Sequence, residues 1–212
     1  MIVIPSTNEE RALTYLALGD SYTIGEGVAQ NESFPYQVAA QLKLQGVDMA
    51  KPKIIAKTGW TTDELQAAIK VENITQNFDI VTLLIGVNNQ YRGYPKEIYR
   101  EEFRELLETA IAFAGGNKNH VFVVSIPDWG VTPFGLASGR NTKTIADDID
   151  AFNAINRTET LALGISYIDI TPASRKAATE LSLIAGDGLH YSGKMHLEWA
   201  LALGQTYRNI SR

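Results

Sequence analysis

Five short apolar runs, each separated from the next by a stretch of helical periodicity, restrict this chain more than any other feature of its sequence. They are Tyr15-Leu16-Ala17-Leu18, Lys53-Ile54-Ile55-Ala56, and residues 79–85, 121–126 and 165–170. Runs this short and this apolar suit strands covered on both faces, the condition of a parallel sheet. Helices are expected at residues 33–42, with Pro35 in the first turn and Ser33 as cap, and from Thr62 onward. A third is opened by Pro95 and ended by Gly115-Gly116, with Ile98, Tyr99, Phe103, Leu106, Leu107, Ala110 and Phe113 on its inward stripe. Further helices are expected at 142–163 and 193–210, with a short one at 174–183, while 129–141 reads as an irregular loop.

Strands that alternate with helices need right-handed crossovers, which place helices on both faces of the sheet. The expected fold class is therefore α/β, a three-layer α/β/α sandwich on a five-stranded parallel sheet. By analogy with doubly wound sheets its strand order is taken as the flavodoxin-like 2-1-3-4-5. The 212 residues, 45% of them hydrophobic and 20% charged, suffice for one buried core and one domain over residues 1–212.

Composition also excludes several kinds of function. A net charge of −5, with cations scattered among acids, leaves no basic stripe for nucleic acid. With no cysteine, disulfides, thiolate zinc sites and a cysteine nucleophile are ruled out. Met1-Ile2-Val3-Ile4-Pro5 lacks the basic start and apolar stretch of a leader, so a cytoplasmic location is the default expectation, with an exported form that has lost its leader left open. No run approaches the roughly 18 apolar residues that span a bilayer, so no stable membrane insertion is expected. Nothing in the sequence bears on oligomeric state.

The first apolar run stops abruptly at Gly19-Asp20-Ser21, which presents a hydroxyl just past a strand's carboxyl end, where ligands of open α/β sheets bind. A serine hydroxyl is a weak nucleophile near neutral pH and needs a base. His190 can take its proton, since an imidazole titrates near pH 6.5 when unperturbed, and Asp187 three residues earlier can bond the other ring nitrogen. The backbone N–H groups of Ser21 and Gly59 and the side-chain amide of Asn88, each beyond a strand, can face the charge that grows on a substrate oxygen. Taken singly, each of these is ordinary turn chemistry. His120 and His196 have no acid at comparable spacing and read as structural.

Together the motifs resemble the SGNH hydrolases, or GDSL esterase/lipase family, nearly end to end. Gly19-Asp20-Ser21 matches the family's nucleophile segment, Thr58-Gly59-Trp60 its oxyanion glycine, Gly86-Val87-Asn88-Asn89 its asparagine segment and Asp187-Gly188-Leu189-His190 its Asp-x-x-His. The segment from Ser125 to Phe134 is similar to the bacterial branch of lysophospholipase L1-like esterases. Two positions depart from the pattern: Tyr22 stands where the name-giving leucine would be, and Asn89 replaces the usual aspartate. The first is expected to alter packing under the nucleophile, the second to affect the polar support of that loop. The resemblance implies a serine ester hydrolase, working through an acyl-enzyme with no metal and no organic cofactor. Its substrate would be a small-molecule ester, with lysophospholipid, acylated sugar and simple ester all open.

Asp20, Trp129 and Phe134 are candidates to line the substrate site, and Trp129, Val131 and Phe134 could equally pin their loop to the core. A flavodoxin-like binding protein, whose first loop would cradle a flavin phosphate, leaves Asp187 and His190 without a role. A catalytically silent relative that binds acyl or glycan ligands is the other alternative. The α/β-hydrolase fold is excluded, because its Gly-x-Ser-x-Gly elbow occurs nowhere in the chain.

Overall fold

The computed structural model describes residues 11–210, so the Met1–Pro5 stretch considered above as a leader lies outside the described residues. The strands β1 (Tyr15–Gly19), β2 (Lys53–Ala56), β3 (Ile80–Leu84), β4 (Val121–Val124) and β5 (Ser166–Ile168) form one parallel sheet in the order β2-β1-β3-β4-β5. Every residue of β1, β3 and β4 is buried, as expected of strands covered on both faces. In chain order the helices are α1 (Ser21–Ile24), α2 (Phe34–Leu44), α3 (Thr62–Glu72), α4 (Val87–Tyr91), α5 (Lys96–Phe113), α6 (Pro133–Ala137), α7 (Thr142–Ala162), α8 (Thr171–Ser174) and α9 (Gly193–Ile210). α2 packs on α9 on one side of the sheet; α3, α5 and α7 pack side by side on the other.

Strand register decides where the loops meet. Gly19 pairs with both Ala56 and Leu84, so β2, β1 and β3 end at one level and the chain leaves all three toward the same space. The strand order reverses beside β1, which makes this edge the crevice where ligands of doubly wound sheets lie.

Three local expectations need correction. Ile98 is 48% exposed, because the buried face of α5 is set by Tyr99, Phe103, Leu106, Leu107 and Ala110, and Ile98 lies about 100° around the helix from Tyr99. Residues 129–141 are not irregular: Trp129–Val131 forms a 3₁₀ turn and Pro133–Ala137 is helical. Asp128 Oδ1 accepts from Gly130 N–H, and Thr132 Oγ1 accepts from Gly135 N–H; Thr-Pro is the cap-and-first-residue signal that announces α6. The short helix expected at 174–183 is divided into α8, which starts earlier with Pro172 in its first turn, and 3₁₀ turns at Arg175–Ala178 and Leu181–Leu183.

Candidate active site

Ser21 is the first residue of α1, immediately after Asp20 at the end of β1, and is 5% exposed. Its side chain faces a cavity of about 230 Å³ whose wall also includes Gly59, Asn88, Tyr91, Trp129, Phe134 and His190. Among the described residues Ser21 Oγ forms no hydrogen bond, with His190 or any other group. Catalytic hydrogen bonds are often long in unliganded sites and tighten on binding.

His190 and Asp187 sit on a tight hairpin-like loop. An antiparallel bridge joins Ile184 to Tyr191, Ala185 N–H donates to His190 O over 2.8 Å, and Gly188 adopts φ +74°, a backbone state that L side chains rarely take. His190 Nδ1 lies 2.6 Å from Asp187 Oδ2, while Asp187 Oδ1 accepts the N–H groups of Leu189 and His190, each at 2.9 Å. Partial burial pushes the Asp187 carboxyl up, but the hydrogen bonds from the His190 ring and the two N–H groups outweigh it and hold the pKa below its usual value. An ionised Asp187 accepts from the proton on Nδ1, and in the neutral imidazole Nε2 is then the acceptor. Phe134 N–H donates to Gly188 O over 2.9 Å, so α6 steadies the loop from outside.

The candidate oxyanion donors converge from three strand ends. Ser21, as first residue of a helix, has an N–H with no intrahelical partner. Gly59 sits at φ +87°, and Arg92 grips its carbonyl over 2.6 Å while pairing with Glu64 at 3.4 Å. Asn88 Nδ2 donates to Trp60 O over 2.9 Å, which spends one amide hydrogen and leaves the second for a ligand. Arg92 is a residue that sequence reasoning missed; in Tyr91-Arg92-Gly93 it reads as an ordinary surface cation, and no pattern along the chain ties it to Gly59.

The two departures from the family pattern are both accommodated. Asn89 is fully buried; its Oδ1 accepts from Thr62 N–H over 3.1 Å and its Nδ2 donates to Thr62 Oγ1 over 2.7 Å, fastening α4 to the start of α3. The amide supplies a donor that an ionised aspartate could not. Tyr22 is buried with its ring edge-on to His190 at 5.7 Å and against Tyr191 at 5.9 Å and Trp199 at 6.2 Å, an aromatic floor beneath the imidazole. His196, read as structural, accepts from Phe34 N–H at Nδ1 over 2.8 Å, and burial pushes its pKa down to about 3.

Trp129 both pins its loop and walls the cavity: its indole N–H donates to Gln90 Oε1 over 2.9 Å, and its ring lies 5.3 Å from Tyr91 and 6.0 Å from Phe134. Val131 packs against the core and is not part of the cavity wall.

Asp20 departs from its expected place on the substrate wall. It is fully buried and not part of the cavity wall: Oδ1 caps α1 by accepting from Tyr22 N–H over 3.0 Å, and Oδ2 has no partner. Burial pushes this carboxyl up to about 7, against the hydrogen bond from Tyr22. An unfolded aspartate loses its proton near pH 4, so between about pH 4 and 7 the unfolded chain binds fewer protons than the folded one. The Asp20 contribution to stability is therefore expected to fall as pH rises through that window and to level off above it. In urea unfolding from pH 4 to 8, Asp20→Asn should gain on the parent protein through the window; a stability difference independent of pH would contradict this.

Comparison with protein-family models matches the GDSL-like lipase/acylhydrolase family over residues 17–197. Comparison with curated protein sequences gives no match. Among solved structures, the lipase/acylhydrolase from Enterococcus faecalis is similar with a TM-score of 0.69 at 20% identity, covering 93% of this chain and 96% of that one. The psychrotrophic esterase EstA from Pseudoalteromonas sp., in a structure inhibited by monoethylphosphonate, gives 0.69 at 14% identity over 92% and 97% of the two chains. A mutant of Axe2, an acetyl-xylooligosaccharide esterase from Geobacillus stearmophilus, gives 0.65 at 18% identity over 94% of both. At these identities the likenesses establish the fold.

Proposed function

This chain belongs to the GDSL-like lipase/acylhydrolase family, and we propose that it is a serine ester hydrolase that cleaves carboxylic esters through an acyl-enzyme on Ser21. The observation that carries this reading is His190, bonded to Asp187 at 2.6 Å, on the wall of the cavity that Ser21 and Asn88 also line.

In the first half-reaction Ser21 Oγ attacks the ester carbonyl carbon and passes its proton to His190 Nε2. Asp187, ionised and already bonded to Nδ1, stabilises the imidazolium. The negative charge gathered on the carbonyl oxygen meets the N–H groups of Ser21 and Gly59 and the free amide hydrogen of Asn88. As the tetrahedral intermediate collapses, the bond to the alkoxy oxygen breaks, His190 returns its proton to that oxygen, and the alcohol departs. Water then repeats the sequence against the acyl-serine, releasing the acid and restoring Ser21.

The aromatic walls and small volume of the cavity favour a compact apolar group beside the reacting carbonyl; about 230 Å³ is below the roughly 300–1,000 Å³ of pockets for drug-sized ligands. Short-chain aryl esters are expected to be turned over faster than palmitoyl esters, and equal rates across the series would count against that wall. The core of the proposal is tested by a fluorophosphonate probe followed by intact-mass measurement and peptide mapping. A single adduct at Ser21 is expected. Binding of esters or glycans without covalent labelling would support the silent relative instead, and a yellow, flavin-loaded protein the flavodoxin-like reading.

Asn88→Ala separates transition-state stabilisation from binding. Loss of an amide that bonds the oxyanion should lower kcat by about 10²–10³. A change confined to KM would assign Asn88 to ground-state binding.

A further inference from the structure

We propose that the groove sharing Tyr91 with the catalytic cavity, with Arg140 on its wall, binds an anionic group carried by the ester, so that the enzyme selects substrates bearing a carboxylate or phosphate away from the scissile bond. The inference rests on the esterase reading above and adds the chemical class of the substrate's distal end.

Tyr91 lines two spaces at once. One is the cavity of Ser21 and His190; the other is an open groove of about 500 Å³ whose wall includes Arg92, Arg140, Asn141, Thr144 and Asp148. Tyr91 is 39% exposed and belongs to both walls, so the groove adjoins the catalytic cavity at this residue.

The cations and acids near the groove do not cancel. Arg92 is paired with Glu64 at 3.4 Å, and Asp148 with Lys96 at 3.3 Å. Arg140 is left over: among the described residues it forms no ion pair. Nη1 donates to the Tyr91 carbonyl over 3.0 Å, and the guanidinium lies 4.3 Å from the Tyr91 ring centre and 5.7 Å from that of Trp129. With one N–H spent on the Tyr91 carbonyl, the guanidinium keeps its remaining donors in a fixed fork, the geometry that bidentate recognition of a carboxylate or phosphate requires. Held over the two rings that wall the catalytic cavity, it is a prepositioned charge. The net charge of −5 makes the whole molecule repel anions, so any preference for an anionic ester must come from a local group.

The test uses two matched pairs of esters. In one, the anion is on the acyl side, as 4-nitrophenyl hydrogen suberate against its methyl-capped neutral form. In the other it is on the alcohol side, as butyrylglycerol 3-phosphate against butyrylglycerol. The protein is expected to favour the charged member of at least one pair by about tenfold or more in kcat/KM, the scale of one hydrogen bond to a charged group. Whichever pair responds identifies the side of the ester that enters the groove. Arg140→Met should remove that preference, Arg140→Lys should keep a substantial part of it, and raising the salt to 0.5 M should weaken it in the parent protein. No charged preference in either pair, or one that survives in Arg140→Met, would overturn the proposal. Failure of the parent protein to hydrolyse any of the four esters or to label at Ser21 would overturn the esterase reading itself, and the groove's role with it.

Discussion

Ser21→Ala is expected to reduce kcat/KM toward a short-chain aryl ester by about 10³-fold or more, with the fold intact. On the proposed mechanism the substitution removes the one atom that bonds the acyl group, and the base and oxyanion donors cannot act on a nucleophile that is absent. Structural damage should be slight. Ser21 Oγ forms no hydrogen bond among the described residues, and the turn is held by Asp20, which accepts Tyr22 N–H at its side chain and Thr23 and Ile24 N–H at its carbonyl. The melting temperature should therefore stay close to the parent's while fluorophosphonate labelling disappears. Parental turnover in this variant would end the acyl-enzyme mechanism, and a collapsed melting transition would show that Ser21 also maintains the fold.

Asp187→Asn should be nearly as severe, costing about 10³–10⁴ in kcat. On the proposed mechanism the carboxylate, 2.6 Å from His190 Nδ1, accepts from Nδ1–H and so keeps Nε2 free to take the serine proton. An asparagine amide at the same place can instead donate to Nδ1, which stabilises the opposite tautomer, with its proton on Nε2. The loop should survive, because an asparagine carbonyl can still accept the Leu189 and His190 N–H groups now held by Oδ1. A loss in kcat with little change in KM and unchanged thermal stability is the expected signature. If Asp187→Asn costs only a few fold, His190 is oriented by other means, and the aromatic floor of Tyr22, Tyr191 and Trp199 would be the place to look.

Much of the layout was legible along the chain. β2, the start of α3 and the span of α9 fall where run length, Thr62 and Gly193 put them, because strand and helix periods are local properties. The Asp187–His190 hydrogen bond was equally accessible, since three residues of spacing with a glycine between them bring the two side chains together. Ile98 and the 174–183 helix were less so, for local patterns alone do not say which face of a helix meets the sheet or where a first turn gives way to 3₁₀ geometry.

The sequence by itself determined that five strands alternate with helices and that a serine, a glycine, an asparagine and an Asp-x-x-His loop all follow strands or precede the last helix. Tertiary structure alone decided what these groups meet. Gly59 is held by Arg92, Asn88 is anchored on Trp60, Asn89 ties α4 to the start of α3 through Thr62, and Asp20 is fully buried with an unpartnered oxygen. The physical reason is that period, cap and turn signals act over a few residues, whereas these partners are 28 to 33 positions apart in the first two cases and meet only because β2, β1 and β3 end in register.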